Sequence, residues 1–214
     1  EAGSKLWKRS AAERVIFTQI DSGRELISFT SDNAEALRPY LDVKDDAAYK
    51  VLGATQADRV SNIINFARGA RDESDAYTGE PTLRKKDFTI GDETHPWKLG
   101  DIVYSTPVTI SKPMEQYGLL YDDASYREFY NFHAFTNPRE TMVYVGANDG
   151  MLHAFSAGKY SAAEKKFVPG AFAGIGEELW AYIPQNLLPH LKWLAMPHYT
   201  HLSYVDLKPK VVDA

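Results

Sequence analysis

The alternation of apolar and polar positions near the start of the chain predicts a β-hairpin. Residues 14–20 and 25–30 are two runs rich in β-branched and aromatic side chains, which favour strands. Residues 21–24 between them are Asp-Ser-Gly-Arg, a turn sequence with glycine where a left-handed residue is needed. We therefore expect two antiparallel strands in this part of the chain.

Two short helical segments are predicted after the hairpin. Residues 32–37 begin with Asp-Asn, which can cap a helix, and Pro39 disturbs the end of that helix. Residues 45–53 begin with an Asp pair, and Gly53 ends the segment.

Residues 55–68 carry the best-marked helix. Thr55 is a candidate N-cap, Asp58 follows it three residues later, and Gly69 ends the pattern. Apolar positions at helical spacing predict one buried face, formed by Val60, Ile63, Ile64 and Ala67. The polar positions are expected to face solvent; they are Asp58, Arg59, Asn62 and Arg68.

Residues 70–100 are predicted to form an irregular polar connection. Charges of both signs at 71–75 and 84–87 alternate with the breakers Gly79, Pro81, Gly91 and Pro96. Such a length without periodicity indicates a functional loop or a domain boundary. The basic run at 84–86 could meet a phosphate or an acidic partner, but Asp87 follows it directly, so we expect a solvated loop.

The pattern changes to β-structure after Trp97. Residues 101–110 predict a strand interrupted by Pro107, which suits the edge of a sheet. Further strands are predicted over residues 141–146, 151–155 and 178–183, with a turn at 147–150. Four strands in sequence, each beside the next, are the content of one propeller blade. Residues 207–214 echo the proline-containing strand, so we expect a second blade to begin there.

Composition narrows the class of protein. The 214 residues include no cysteine, which excludes disulfides, iron–sulfur clusters and thiolate zinc sites. A net charge of −5 argues against a nucleic-acid binder. No apolar run of about 18 residues occurs, so no transmembrane segment is predicted.

Several motifs resemble one known family in their residues and in their order. They are residues 63–69 (IINFARG), 99–107 (LGDIVYSTP), 144–155 (YVGANDGMLHAF) and 176–184 (GEELWAYIP). The chain resembles the quinoprotein-like β-propeller domain of the PilC/PilY family, type IV pilus tip-associated assembly factors and adhesins. The resemblance covers residues 55–214 well and 14–54 weakly.

The resemblance implies a non-enzymatic type IV pilus biogenesis factor and tip adhesin. Such a protein is exported to the cell envelope, at the periplasm, outer membrane or pilus tip. It acts through its surfaces in pilus assembly, retraction control and attachment. Its expected partners are pilins or minor pilins and host or surface receptors.

The resemblance also raises the question of a cofactor. Family members with a characterised calcium site hold it in an aspartate-rich, EF-hand-like loop, and no Asp-x-Asp-x-Asp-Gly run occurs here. We therefore expect no cofactor in this chain. A calcium site could still occur in another part of a longer protein. The alternative is a quinoprotein-like propeller enzyme or ligand-binding propeller that uses pyrroloquinoline quinone and calcium on the propeller axis. A scaffold propeller of the outer-membrane assembly lipoprotein type is a third interpretation, which the order of the motifs disfavours.

An aromatic insertion at residues 113–139 is the candidate interaction loop. Its candidate contact residues are Tyr117, Tyr121, Tyr126, Phe129 and Tyr130. Because loops carry function on a rigid frame, we expect this loop to contact a pilin or a receptor. The alternative is that its rings cover the edge of the blade itself.

Other polar and aromatic motifs are interpreted as structural. Asn148 and Asp149 are expected to make hydrogen bonds inside the turn rather than bind calcium, and Gly150 to adopt a positive φ. Trp180 is expected to pack between blades rather than serve as a ligand platform. The histidines lack a His-Glu-x-x-His motif and are expected to be ordinary surface or half-buried residues, so no catalytic or metal-binding residue is predicted.

The sequence as a whole predicts a mainly β fold with flanking helices (α+β). It comprises a hairpin and helical segment over 1–95, followed over 96–214 by about one four-stranded antiparallel blade of a partial propeller. A closed propeller takes at least about four blades, so we expect a segment of a longer protein. The exposed sheet edges should be covered by the N-terminal hairpin or by another copy of the chain.

Overall fold

A computed structural model describes residues 2–21, 24–70 and 77–213. Its α-helices are α1 (Ala2–Lys8), α2 (Ala34–Leu41), α3 (Gln56–Arg68), α4 (Tyr117–Leu120), α5 (Ala124–Asn131) and α6 (Leu191–Ala195). Its β-strands are β1 (Ile16–Ile20), β2 (Glu25–Ser28), β3 (Asp87–Ile90), β4 (Glu93–Pro96), β5 (Val108–Ile110), β6 (Thr141–Ala147), β7 (Met151–Ser161), β8 (Lys166–Val168) and β9 (Glu178–Ile183). Short 3-10 helices cover Ser31–Asn33, Ala47–Leu52 and Gln185–His190, and a π-helical turn covers Phe132–Thr136.

The main sheet has the strand order β2-β1-β9-β7-β6-β5, with β8 paired to the end of β7. Strands β5, β6, β7 and β9 are antiparallel neighbours, so the predicted row of four adjacent strands is confirmed. Together with the helices, this sheet confirms the mixed α and β class. Closure of such strands into a propeller stays a prediction.

The N-terminal hairpin extends this sheet at β9. Strands β1 and β2 are antiparallel, as predicted, although Ser22 and Gly23 of the turn lie outside the described residues. Strand β1 then runs parallel to β9, with Ile16 opposite Ala181. The hairpin thus covers the β9 edge, which is one of the two covers expected from the sequence.

Helices α2, α3 and α6 cover one face of the sheet. Helix α3 begins with the predicted capping box of Thr55 and Asp58, and Gly69 ends it at φ 85°. Its apolar face joins α2, α6 and the strands in one core. The core side chains include Ile16, Ile20, Leu37, Leu41, Ile63, Ile64, Met151, Ala181 and Ile183. The predicted boundary between residues 95 and 96 stays a prediction; in the structure it falls within β4.

The expectation that the polar positions of α3 face solvent is wrong for three of them. Arg59, Asn62 and Arg68 are all buried, with 1%, 0% and 6% of their surface exposed. Each side chain donates hydrogen bonds to backbone carbonyls of neighbouring loops, as from Arg59 Nε to Gly53 O at 2.8 Å. The helix is therefore enclosed on its polar side by loops whose carbonyls need donors.

The expectation of an irregular connection is wrong where β3 and β4 form a hairpin. The indole of Trp7 in α1 donates to Phe88 O at 3.0 Å and to His95 O at 2.9 Å, one carbonyl on each strand. This long-range contact holds a hairpin whose two-residue turn, Gly91-Asp92 with Gly91 at φ 62°, is a local hairpin signal that the expectation of an irregular connection overlooked. Residues 71–75 of the predicted connection lie outside the described residues.

Three other boundaries differ from the sequence-based expectation. The strand predicted over residues 101–110 is limited to β5, since Pro107 precedes it. The described residues 207–213 form no strand; this segment instead lies beside Ser105, whose hydroxyl donates to Leu207 O at 3.2 Å. Helix α2 includes Pro39 and continues to its end at Leu41, so the helix extends past the end predicted at residue 37.

Candidate functional site

The Asn-Asp-Gly turn between β6 and β7 anchors neighbouring segments of the chain. Gly150 has a φ of 87°, the positive value predicted from the sequence. Asn148 donates to Asp101 Oδ2 at 2.8 Å and accepts from Tyr204 N at 3.1 Å. Asp149 accepts from Gly100 N at 2.8 Å. These bonds reach beyond the turn and support the structural interpretation of both side chains, which stays a prediction.

A buried cluster of charges lies under this turn. His153 on β7 donates from Nδ1 to Glu178 Oε1 at 2.8 Å and from Nε2 to Asp149 Oδ2 at 3.1 Å. Arg14, just before β1, makes two 2.9 Å bonds to the Glu178 carboxylate, from Nε and Nη2. The side chains of Arg14, His153 and Glu178 are wholly buried. The cluster therefore connects β1, β7 and β9 inside the protein.

These neighbours determine the protonation states in the cluster. Burial lowers the pKa of His153, but the charges and hydrogen bonds of Asp149 and Glu178 outweigh it and raise that pKa to about 9. Burial raises the pKa of Glu178, yet the bonds from His153 and Arg14 bring it down to about 2. Both imidazole nitrogens donate to carboxylates, so His153 is an imidazolium at neutral pH. The arrangement is an ion network without a free lone pair on His153.

The sequence expectation of ordinary histidines missed this role for His153. The signal was present in the alternation of β7, because Met151, His153 and Phe155 share the buried face of the strand. A histidine at such a position needs polar partners. Among the residues that the structure describes, no group of three or more His, Cys, Asp or Glu is arranged to hold a metal ion.

Trp180 lies on the face of the sheet away from the helices. Its ring is 5.4 Å from that of Phe17 and 5.6 Å from that of Tyr144, measured between centroids. Tyr182, two residues further along β9, contacts Phe17 at 5.6 Å. The result is a half-buried aromatic patch, consistent with the predicted packing between blades, which stays a prediction.

The aromatic insertion is helical rather than a loop. Asp123 caps α5 by accepting from Tyr126 N at 3.0 Å. The ring of Tyr126 contacts those of Tyr117 on α4 and Phe129 on α5, at 5.1 and 5.6 Å. Tyr121 also contacts Tyr117, at 5.9 Å, while 75% of its surface is exposed. Four of the five predicted contact residues thus form one chain of rings.

The fifth predicted contact residue, Tyr130, lines an open groove beside these rings. The groove has a volume of about 560 Å³, and Met114, Leu119 and Tyr126 also line it. Leu119 is 80% exposed. Tyr126 Oη donates to Asp213 Oδ2 at 3.2 Å, which joins the insertion to the C-terminal segment. The insertion is therefore an anchored surface with exposed apolar side chains.

Among the described residues, no helix has both the length and the apolar composition needed to cross a membrane.

Comparison with known proteins relates the chain to the PilY1 proteins. A type IV pilus biogenesis factor PilY1 homolog of Xylella fastidiosa is 32% identical over 165 residues, which are 75% of this chain and 11% of that protein. Another such homolog from the same organism is 27% identical over an alignment of 247 residues, covering 99% of this chain and 15% of the homolog. The type IV pilus biogenesis factor PilY1 of Pseudomonas aeruginosa is 28% identical over 222 residues, covering 100% of this chain and 16% of that protein.

The chain belongs to the PilC/PilY family, as its motifs predict. It spans 11–16% of the length of these three relatives. No family model matches the chain, and no solved structure matches it.

Proposed function

We propose that the chain acts within a type IV pilus biogenesis factor at the cell envelope. The observation that carries the proposal is the relationship, over the whole chain, to proteins named for that role. In the proposal the protein works without catalysis and without a cofactor bound to this chain. It acts through its surfaces in pilus assembly, retraction control and attachment, with pilins or minor pilins and surface receptors as partners.

The row of antiparallel strands supports a propeller blade as the frame of this protein. Strands β5, β6, β7 and β9 have the antiparallel order of a blade. The aromatic patch around Trp180 would then contact the next blade. On this frame, the aromatic insertion is the surface we propose for the contact with a pilin or receptor.

Gene replacement in the source bacterium tests the function and the surface separately. Deletion of the gene should abolish surface pili or twitching motility, and normal piliation in the deletion strain would refute the proposed function. The double variant Leu119→Ser/Tyr121→Ser removes two exposed apolar side chains of the insertion. It should reduce piliation or attachment several-fold at normal protein level.

A matched control is Phe172→Ser, because Phe172 is also 80% exposed but lies outside the insertion. We expect this variant to behave as wild type. If the double variant in the insertion also behaves as wild type, the insertion is not the contact surface, although the proposed function in pilus biogenesis stands. A rise in the melting temperature on adding pyrroloquinoline quinone and calcium would instead support the quinone-dependent alternative.

A further inference from the structure

A cleft of about 410 Å³ lies between α3, the segment at 84–86 and the Asn-Asp-Gly turn. Cationic side chains along its wall come from Arg84, Lys85, Lys86 and Lys98, although the chain as a whole carries a net charge of −5. The carboxylates of Asp101 and Asp149 also line it, and that of Asp101 is bound by Asn148 and His201. We name this cavity the basic cleft. The sequence predicts a solvated loop for residues 84–86, but Arg84 and Lys86 are only partly exposed.

Arg84 and Lys86 pack on aromatic rings instead of carboxylates. The Arg84 guanidinium lies 4.0 Å from the centre of the Tyr199 ring and 5.9 Å from that of Phe66. The Lys86 amine lies 4.2 Å from the same Phe66 ring, and its hydrogen bond, to Phe66 O, is long at 3.4 Å. Among the described residues, neither cation makes an ion pair, and the buried Arg84 Nε has no hydrogen-bond partner. The two cations therefore lie close together, and both keep N–H groups that have no acceptor among the described residues.

The charges that face Lys86 are unbalanced. Burial, followed by the charge of Arg84, lowers the pKa of Lys86 to about 7. Asp149 opposes this only in part, and Arg14 and Lys98 lower the pKa further. Asp149 is itself committed to His153 and Gly100. An incoming anion would relieve this repulsion and supply the missing acceptors.

We propose that the basic cleft binds a small oxyanion, a phosphate or carboxylate group, between Arg84 and Lys86. The guanidinium, held against Tyr199, presents its N–H donors to the oxyanion. The amine is the second, point-like charge. Bound anion keeps Lys86 protonated and stabilises the folded state.

Thermal unfolding of the whole protein tests the site at about pH 6, below the pKa of Lys86. Sodium phosphate and sodium acetate are titrated separately, with sodium chloride holding the ionic strength constant. Because a ligand that binds only the folded state raises its stability, we expect the melting temperature to rise with at least one of the two. A response to phosphate alone indicates a phosphate site, and a response to acetate indicates that carboxylates also bind. If neither anion stabilises the protein more than chloride does, the proposal is wrong.

Variants assign the binding to the two cations. The variants Arg84→Gln and Lys86→Gln should each lower the affinity for the stabilising anion more than about tenfold, since each loses a charge-assisted hydrogen bond. The control Lys166→Gln removes an exposed cation of β8 and should change the affinity less than about twofold. Equal weakening in all three variants, or in none, would overturn the assignment.

A measurement on the wild-type protein avoids any loss of folding in the variants. Reductive methylation with carbon-13 formaldehyde gives each lysine an NMR signal whose shift follows its titration. The Lys86 signal should titrate near pH 7 in the absence of the stabilising anion and at a clearly higher pH in its presence. An unchanged titration of Lys86 would contradict the site even if the protein is stabilised.

Discussion

Replacing Arg14 with methionine is expected to destabilise the protein severely. Arg14 lies at the start of the segment that leads into β1, and only 2% of its surface is exposed. Its guanidinium holds Glu178 through two 2.9 Å bonds and donates to Arg68 O at 3.0 Å. Methionine keeps the apolar length of the side chain but removes the charge and all these donors.

The magnitude follows from what the substitution leaves behind. The Glu178 carboxylate stays buried, with His153 as its remaining cationic partner. Breaking a buried pair by removing one partner typically costs about 3–5 kcal/mol. The exposed pair of Arg38 and Glu35, 44% and 75% accessible in their side chains, serves as the control. Arg38→Met should cost less than about 1 kcal/mol.

Urea denaturation monitored by circular dichroism measures both variants. With a slope of about 2–3 kcal/mol per molar urea, the Arg14→Met midpoint should fall by more than about 1 M. The loss should be nearly the same at low and high salt, because buried charges are screened little. A loss no larger than that of Arg38→Met would refute the buried ion pair as a source of stability.

Two further variants test the buried polar groups. The stability lost in His153→Gln should be largest below about pH 6.5 and shrink as the pH rises through about 9, because the histidine stabilises the fold only while its imidazole is protonated. Urea titrations at several pH values measure this loss. A loss that does not change with pH would contradict the charged state of His153. Asn62→Ala removes bonds to Leu52 O at 2.8 Å and to both backbone groups of Thr78, so it should cost about 2–3 kcal/mol by the same assay. The control Asn33→Ala, at a half-buried position, loses one 2.8 Å bond and should cost under about 1 kcal/mol. Equal losses in the two asparagine variants would count against the buried network.

Local turn and capping chemistry made much of the fold predictable from the sequence. The capping box at Thr55 and the glycine at position 69 give the bounds of α3 because both act within a few residues. Gly150 similarly fixes the turn between β6 and β7. In each case the side chain that determines the structure lies beside the backbone that it constrains.

The β3–β4 hairpin has a local signal in its Gly91-Asp92 turn, but its contact with α1 and the burial of the α3 polar face could not be predicted in this way. The contact that holds the hairpin comes from Trp7, which lies about eighty residues earlier in the chain. Arg68 looks like a surface residue in its own helix, but it binds carbonyls at Phe29 and Arg14. A periodicity argument assigns polar positions to solvent, whereas the buried polar side chains of α3 donate hydrogen bonds to carbonyl groups of other segments.

The parallel contact between β1 and β9 shows most clearly how charge and topology act together. Arg14 and Glu178 are 164 positions apart in sequence, so no local pattern indicates that they meet. Once β1 lies beside β9, this ion pair permits one register, with Ile16 opposite Ala181. A shift by one residue would move Arg14 off the carboxylate and turn Phe17 into the core. The apolar alternation of β1 therefore determines which face is buried, and the buried ion pair determines where along β9 the strand aligns.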